Sequence, residues 1–321
     1  MLRVSEGYGF DDLLLVPQHG VLESRKEANI GSELLPEFRI AVPIVSANMP
    51  SVTEGVMAAA MFNAGGFGII HRFCTPEEQA AMFDEGYYFA GAAIGLKDGI
   101  YRTQMLVHKD VEVFCLDVAH GDSEKVVEFI KLWRRHFPHR YLIAGNVATG
   151  AGAFKLLEAG ADAIKVGIGP GAACTTREVT GFGVPQLSAI ESVRRVREAC
   201  NNDFRIIADG GIRNSGDIVK ALAAGADTVM IGRLLAGCDE APHPGEYFGN
   251  ASLRINGHNA PEGIEGEVES SGPVEGVIKK LAWGIRSGIS YAGARDIKEL
   301  QDEAEWVTVS SQTLQESGTR V

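Results

Sequence analysis

Eight short apolar segments rich in β-branched residues are spread along the chain, and amphipathic stretches separate most of them. One of these stretches, from Ser123 to His136, repeats its apolar side chains at helical spacing. Alternating strand and helix patterns favour a parallel sheet with crossover helices, and eight repeats are typical of a closed barrel. The pattern therefore predicts the α/β class and a (β/α)8 TIM barrel. The eight segments cover residues 40–46, 66–71, 89–94, 112–118, 141–147, 163–168, 205–209 and 227–232.

The length fits this prediction. A chain of 321 residues is long for an ordinary domain, but normal for a barrel of about 250 residues that carries insertions. Residues 1–321 are therefore predicted to form a single barrel domain. After the eighth segment, residues 237–275 are polar and rich in glycine, proline and asparagine, and they predict a structureless flap over one rim. Residues 304–321 are predicted to be a C-terminal tail.

Charge and cysteine content exclude several classes of function. The net charge of −12 argues against nucleic acid or an anionic membrane as a partner. No apolar run approaches the roughly 18 residues that cross a bilayer, and the first twelve residues lack a secretory signal, so a cytoplasmic location is expected. The five cysteines are odd in number and form no Cys-x-x-Cys pair, which indicates neither a disulfide framework nor a zinc site.

Polar and glycine residues follow the predicted strands where each strand stops. Alone, each is more often a turn-forming residue, but barrel enzymes place their active sites at the carboxyl ends of the strands. Their coincidence on one rim predicts a site there. The residues are Asn48, Met49, His71, Arg72, Asp117, Asn146, Asp209, Gly210, Gly211, Gly232 and Arg233.

A glycine-rich loop after the sixth strand presents a cysteine between small and hydroxyl-bearing residues. Glycines 167, 169 and 171 permit positive φ angles, and Pro170 stiffens the turn before Cys174. An isolated cysteine is most often a small buried apolar residue. The alternative is an attacking thiolate, activated by a neighbouring hydroxyl or base.

The segment from Gly167 to Arg177, with Thr180 to Gln186 after it, resembles the catalytic loop of the inosine-monophosphate dehydrogenase and GMP reductase family. The resemblance extends from Phe10 to the end of the chain. The family's regulatory module pair, common after the second strand, is absent, because residues 71–73 lead directly into the next helix.

The resemblance implies roles for three catalytic residues. Cys174 would attack the purine, and Glu262 would act through Thr176 to move a proton. Without the family, a glutamate in a glycine-rich loop is simply an exposed residue.

The substrate implied by the resemblance is a purine mononucleotide. Asp209 would hold the ribose hydroxyls, while Tyr247 and Gly249 would close over the phosphate and base edge. Ala172 replaces the family's phosphate-binding serine, and Arg233 stands where relatives have serine or glycine, so the arginine is predicted to bind the phosphate. The alternative is a surface arginine that points away. The substrate-binding set is Met49, Asp209, Gly210, Gly211, Gly232, Arg233, Tyr247 and Gly249.

The resemblance also implies a nicotinamide cofactor, potassium and a homo-oligomer. Asp117, Asn146, Arg286 and Ser287 would bind the cofactor. The potassium site would combine Gly167, Gly169 and Cys174 with Glu316, Ser317 and Gly318 of a neighbouring subunit in a tetramer or octamer. The alternative for these last residues is a frayed tail.

The flap discriminates between the two activities of the family. In the dehydrogenase a flap Arg-Tyr pair supports water attack on the covalent intermediate, but no Arg-Tyr occurs between residues 240 and 275, where Arg254 is followed by Ile255. We therefore expect NADPH-dependent reductive deamination of GMP to IMP and ammonia. The alternatives are NAD-dependent oxidation of IMP, or a related purine-nucleotide-binding barrel without this activity.

Overall fold

A computed structural model describes residues 5–84, 89–200, 203–256, 262–310 and 313. Most strands are short. In chain order they are β1 (Leu13–Leu15), β2 (Ser32–Leu35), β3 (Phe38–Ile40), β4 (Ile44–Ser46), β5 (Phe67–Ile70), β6 (Ala90–Ile94), β7 (Val113–Asp117), β8 (Tyr141–Val147), β9 (Ala163–Val166), β10 (Arg205–Asp209), β11 (Thr228–Ile231), β12 (Glu246–Phe248), β13 (Glu265–Glu267) and β14 (Trp306–Thr308).

The helices alternate with the barrel strands. The helix predicted from Ser123 begins at Glu124, with Ser123 as its N-cap residue, and it buries Trp133. A short 3-10 helix spans Arg25–Glu27. The α-helices are α1 (Gly55–Asn63), α2 (Pro76–Asp84), α3 (Gly99–Val107), α4 (Glu124–His136), α5 (Gly150–Glu158), α6 (Thr176–Thr180), α7 (Gln186–Cys200), α8 (Ser215–Ala223), α9 (Arg233–Ala236), α10 (Leu253–Asn256), α11 (Val274–Tyr291) and α12 (Ile297–Glu303).

Strands β4 to β11 form a closed barrel, in chain order around the ring. Each strand is parallel to its neighbours, and the pairing of Val229 with Ile44 joins the last strand to the first. The predicted (β/α)8 TIM barrel is confirmed. The first predicted segment, residues 40–46, was wrong at its start, since the barrel strand begins at Ile44 and Ile40 ends the separate strand β3. Pro43 lies between them, and proline has no N–H for a strand ladder.

The barrel interior is packed at its amino-terminal end. The antiparallel hairpin of β2 and β3 covers this end, and the Phe38 ring packs edge-on against Phe67 at a centroid distance of 5.4 Å. Leu34 and Leu35 are fully buried and join the side chains that point into the barrel, including Ile143 and Ile207. A ligand therefore has to enter from the carboxyl ends of the strands.

The flap has more regular structure than the sequence suggested. Strands β12 and β13 form an antiparallel hairpin in which Tyr247 pairs with Gly266, so the expectation of a structureless flap was wrong. The pairing joins segments that lie far apart in the chain, which local composition does not reveal. The beginning of the predicted tail is also ordered, because Val307 in β14 pairs with Leu14 in β1.

Among the helices of the described segments, none has both the length and the apolar character needed to span a membrane.

Candidate active site

A cavity of about 1200 Å³ opens at the carboxyl ends of the barrel strands. It brings together most of the residues that the sequence analysis selected, although they are scattered over more than 200 positions of the chain. The predicted residues in its lining are Asn48, Met49, Arg72, Asp117, Asn146, Gly167, Gly169, Cys174, Thr176, Asp209, Gly210, Gly211, Gly232, Arg233, Tyr247, Gly249 and Glu262.

The loop that carries Cys174 requires glycine for steric reasons. Gly167 has a φ of 150°, and a Cβ there would overlap the carbonyl oxygen of Asp209. Gly169 has a φ of 87°, and its Cβ would lie 2.7 Å from the side chain of Arg177. The Cys174 N–H donates a hydrogen bond to the Gly171 carbonyl at 3.0 Å, which closes a turn and directs the chain back toward the cavity.

Hydrogen bonds connect the three predicted catalytic side chains in series. The Cys174 thiol donates to Thr176 Oγ1 at 3.2 Å, and the Thr176 hydroxyl donates to Glu262 Oε2 at 2.7 Å. The backbone fixes this arrangement, since the Thr175 N–H donates to the Glu262 carbonyl at 2.9 Å and the Ile264 N–H donates to the Ala173 carbonyl at 3.0 Å. The flap and the cysteine loop thus form one wall of the cavity. A proton has a continuous path from the carboxyl group to the region beside the sulfur.

Asp209, at the end of β10, belongs to a buried polar cluster. Its Oδ2 accepts from Lys165 Nζ at 2.8 Å and from Asn146 Nδ2 at 2.8 Å. Burial alone would lower the pKa of the Lys165 ammonium, but the nearby Asp209 and Asp117 raise this pKa above its ordinary value. Lys165 was not selected from the sequence, although a lysine inside the apolar strand β9 was a visible signal. Asn146 uses its amide to bind Asp209 and the Gly167 carbonyl.

Asp117, at the end of β7, lies among three polar neighbours. Lys165 Nζ is 3.8 Å from its Oδ1, and Arg72 Nε is 3.4 Å from its Oδ2. The Asn250 amide donates to the same Oδ2 at 3.5 Å. The guanidinium of Arg72 also lies over the Phe73 ring, 4.6 Å from its centroid. Arg72 and Asn250 are thus cavity residues whose contacts with Asp117 the sequence analysis did not anticipate.

The part of the cavity wall that follows β10 and β11 contains three glycines, Gly210, Gly211 and Gly232. Gly210 and Gly211 follow β10 with φ values of 95° and 82°, so they expose backbone where most other residues would be strained. Tyr247 lies beside Gly232, its hydroxyl 3.2 Å from where a Cβ on that glycine would be. Burial, with Asp209 as a smaller contribution, raises the pKa of Tyr247, which keeps this hydroxyl protonated and able to donate.

Arg233 is exposed and lines the cavity together with Ala172. It is the first residue of α9, directly after Gly232. Its position at the cavity wall is compatible with contact to an anionic ligand. The phosphate role stays a prediction.

Two residues predicted to bind the cofactor lie away from the cavity. Arg286 and Ser287, on α11, are absent from the cavity lining. The Arg286 guanidinium donates to the Ala28 carbonyl, and Ser287 Oγ accepts from Arg25 at 2.9 Å. A single chain therefore does not bring them to the cavity, and their cofactor role stays a prediction. Glu316, Ser317 and Gly318 of the predicted potassium site lie outside the described residues.

The cavity residues fit a polar nucleotide together with a nicotinamide group. The volume of about 1200 Å³ exceeds the roughly 300–1,000 Å³ of a typical single-ligand pocket. The wall also contains a buried donor, Asn48 Nδ2, that forms no hydrogen bond to any described residue. Buried donors are ordinarily satisfied, so this amide indicates a ligand or water partner.

Comparison with known proteins places the chain in a family. The profile of the IMP dehydrogenase / GMP reductase domain matches residues 7–320. An inosine-5′-monophosphate dehydrogenase of Borreliella burgdorferi is 36% identical, over 97% of this chain and 96% of that protein. A GMP reductase of Leishmania donovani is 30% identical, over 98% of this chain and 96% of that protein. The chain belongs to the IMP dehydrogenase / GMP reductase family.

A solved structure is similar over nearly the whole fold. It is a crystal structure of a GMP reductase variant from Trypanosoma brucei in complex with guanosine 5′-monophosphate. It superimposes with a TM-score of 0.92 and 29% identity, covering 99% of this chain and 98% of that one. The family consists of oxidoreductases of purine metabolism that bind purine mononucleotides and use a nicotinamide cofactor.

Proposed function

We propose that this protein is a GMP reductase, which converts GMP, NADPH and a proton to IMP, ammonia and NADP⁺. The observation that carries the proposal is the hydrogen-bonded series Cys174, Thr176 and Glu262 on the cavity wall. Such a series places a nucleophile and an acid–base group side by side, as displacement of an amino group requires.

In the first step, the Cys174 thiolate forms a bond to C2 of the guanine ring. The C2 amino group then leaves as ammonia, which needs a proton because an amide anion is a very poor leaving group. The hydrogen bonds run from the Cys174 thiol to Thr176 and from Thr176 to Glu262, so they would carry the thiol proton to the carboxylate as the thiolate forms. Glu262 then returns this proton through the Thr176 hydroxyl to the departing amino group. The product of this step is a thioimidate in which the sulfur remains bonded to C2.

In the second step, C2 gains a hydride and the bond to sulfur breaks, which releases IMP and restores the Cys174 thiolate. The bound nicotinamide dinucleotide supplies that hydride, and Asp117 and Asn146 are the described residues proposed to hold it. Covalent catalysis by Cys174 thus divides one difficult substitution into two easier steps.

The remaining cavity residues would bind the nucleotide itself. Asp209 would accept from the ribose hydroxyls, and the backbone of Gly210 and Gly211 would approach the phosphate closely. Arg233 would add a charged contact to the same phosphate, in place of the hydroxyl that Ala172 lacks.

A second candidate is IMP dehydrogenase, favoured by the 36% identity to a dehydrogenase of Borreliella burgdorferi. That activity would use the same Cys174, but it needs a water molecule activated for attack on the covalent intermediate. The Arg-Tyr pair that the resemblance associates with this step is missing from residues 240–275 of the sequence. The sequence of the flap therefore favours the reductase.

Product analysis separates the two candidates. The purified protein is incubated with GMP plus NADPH, with GMP plus NADH, and with IMP plus NAD, and the nucleotides are separated by chromatography. We expect IMP and an equal amount of ammonia from the NADPH reaction, and no product in a Cys174→Ala control. Formation of XMP from IMP, without turnover of GMP, would establish the dehydrogenase, and no turnover of any pair would leave a binding protein.

A further inference from the structure

A lysine lies buried beneath the cavity, between two carboxylates. The Lys165 side chain is 3% exposed, and its Nζ is 2.8 Å from Asp209 Oδ2 and 3.8 Å from Asp117 Oδ1. Burial of an ammonium group is costly unless it is paired. The two carboxylates compensate this charge.

The four polar groups of this cluster come from consecutive barrel strands. Asp117 ends β7, Asn146 lies in β8, Lys165 lies in β9 and Asp209 ends β10. The strand register places Asp117 opposite Gly145 and Gly145 opposite Lys165, so the groups meet at one level of the barrel. Lys165 therefore lies between Asp209, which is proposed to bind the ribose, and Asp117, which is proposed to bind the nicotinamide cofactor.

The two carboxylate oxygens of Asp209 differ in their hydrogen bonds. Oδ2 accepts from both Lys165 and Asn146, whereas no described residue donates to Oδ1. The backbone of Asp209 is fixed as well, because Gln186 Nε2 donates to its carbonyl at 3.2 Å and to the Val166 carbonyl at 2.8 Å. The Asp209 side chain is 20% exposed and lines the cavity, so its second oxygen remains for a ligand there.

We propose that Lys165 is a positioning residue for ribose recognition: it binds one oxygen of Asp209 so that the other is held ready for a ribose hydroxyl. Without this cation, the carboxylate would lose its charged donor and would rotate or take up a proton. A protonated or rotated carboxyl group would no longer be a fixed acceptor for the hydroxyl. The inference rests on the proposed function in requiring a purine ribonucleotide as the ligand.

A thermodynamic cycle tests this role. In the inactive Cys174→Ala protein, calorimetry measures the dissociation constants of GMP, 2′-deoxy-GMP and 3′-deoxy-GMP, and of the same three forms of IMP. A hydrogen bond to a charged group predicts that loss of the bound hydroxyl weakens binding about tenfold to hundredfold. In Lys165→Met, we expect the ribonucleotide and its deoxy form to differ by less than about threefold, because the acceptor is no longer fixed.

Two further variants keep the test decisive. Lys155→Met removes a more exposed lysine–aspartate pair, Lys155 Nζ to Asp122 Oδ1 at 2.7 Å, outside the cavity lining. It should leave the difference in affinity between the ribonucleotide and its deoxy forms unchanged. Lys165→Gln retains a hydrogen-bond donor without the charge, so it decides the test if Lys165→Met does not fold. We expect Lys165→Gln to retain only part of the difference in affinity between the ribonucleotide and its deoxy form.

The outcomes distinguish this inference from the proposed function. Equal weakening of the ribonucleotide and its deoxy forms in the Lys165 variants would show a purely structural lysine and would overturn the inference alone. Binding of IMP in place of GMP would overturn the reductase proposal, while the IMP series would still test Lys165. A Cys174→Ala protein that bound neither nucleotide would overturn both.

Discussion

The two ends of the barrel are both rich in charged residues, but they use them differently. The amino-terminal end has a cavity of about 430 Å³ lined by arginines and carboxylates. There Arg205 donates to Asp203 at 2.6 Å and also to Glu33, and Arg197 pairs with Asp227 at 2.7 Å. Each of these cations is bound to carboxylates of the protein itself.

At the carboxyl end, the chains of hydrogen-bonded polar side chains end at the cavity. The series from Glu262 ends at the sulfur of Cys174, and the bonds to Asp209 leave its Oδ1 without a donor from the described residues. Arg233 lines the same cavity. Polar residues alone therefore do not mark the active site. Groups that are oriented by the protein but not fully satisfied by it indicate where a ligand binds.

The largest effect is expected from Cys174→Ala. The side chain is the proposed nucleophile, so its removal leaves no covalent route, and turnover should fall by at least about a thousandfold. Nucleotide binding, measured by calorimetry, should persist because the Asp209 and glycine contacts remain. The matched control is Cys115→Ala, since Cys115 is buried in the barrel interior and burial raises the pKa of its thiol to about 12. Activity of Cys174→Ala within tenfold of the parent would contradict the account.

Glu262→Gln should have the next largest effect. Loss of a general acid typically costs about 10²- to 10⁴-fold in rate, and here the loss should appear in ammonia release, while GMP still binds. Glu265→Gln is the control, because Glu265 lies in the same flap and accepts from the Arg254 N–H instead of from the catalytic threonine. Unchanged ammonia release in Glu262→Gln would mean that another group donates the proton.

Arg233→Ala should give an intermediate effect. A charged hydrogen bond to phosphate contributes about 1.5–3 kcal/mol, so GMP should bind tenfold to hundredfold more weakly, whereas guanosine, which has no phosphate, should bind as in the parent. Arg254→Ala provides a comparison, since Arg254 is paired with Glu246 at 2.7 Å. Equal losses for GMP and guanosine would place Arg233 away from the phosphate.

The smallest effect on catalysis is expected at the other end of the barrel. Arg205→Ala leaves Glu33 and Asp203 without their shared cation, and denaturant unfolding should show a loss of about 1–3 kcal/mol in stability. The turnover number of the folded protein should not change, because the packed barrel interior separates this end from the cavity. A fall in turnover comparable to that expected for Glu262→Gln would remove the distinction between the two ends.

The barrel and the cysteine loop could be predicted because they are local signals. Each barrel strand is a mostly apolar segment, and Gly167, Gly169 and Cys174 lie in one short stretch. The pairing of β12 with β13 and of β1 with β14 could not be predicted in this way, since each joins distant segments with no periodicity in common.

The polar cluster at Lys165 shows a different limit of sequence reasoning. A single lysine in an apolar strand indicates a buried charge, but its partners lie on other strands, and only closure of the barrel brings Asp117, Asn146 and Asp209 to it. Arg286 and Ser287 show the reverse, because the resemblance selected them and the fold of one chain does not bring them to the cavity.

We propose that Cys174, Thr176 and Glu262 remove ammonia from GMP through a covalent intermediate. The most direct measurement is intact mass spectrometry of protein quenched in acid after incubation with GMP and NADP⁺, which fills the cofactor site without supplying hydride. We expect a Cys174 adduct whose mass is that of GMP minus ammonia, with one ammonia released per adduct and neither seen in Cys174→Ala. Absence of this adduct, together with a Cys174 adduct formed from IMP and NAD, would rule out deamination of GMP by these three residues.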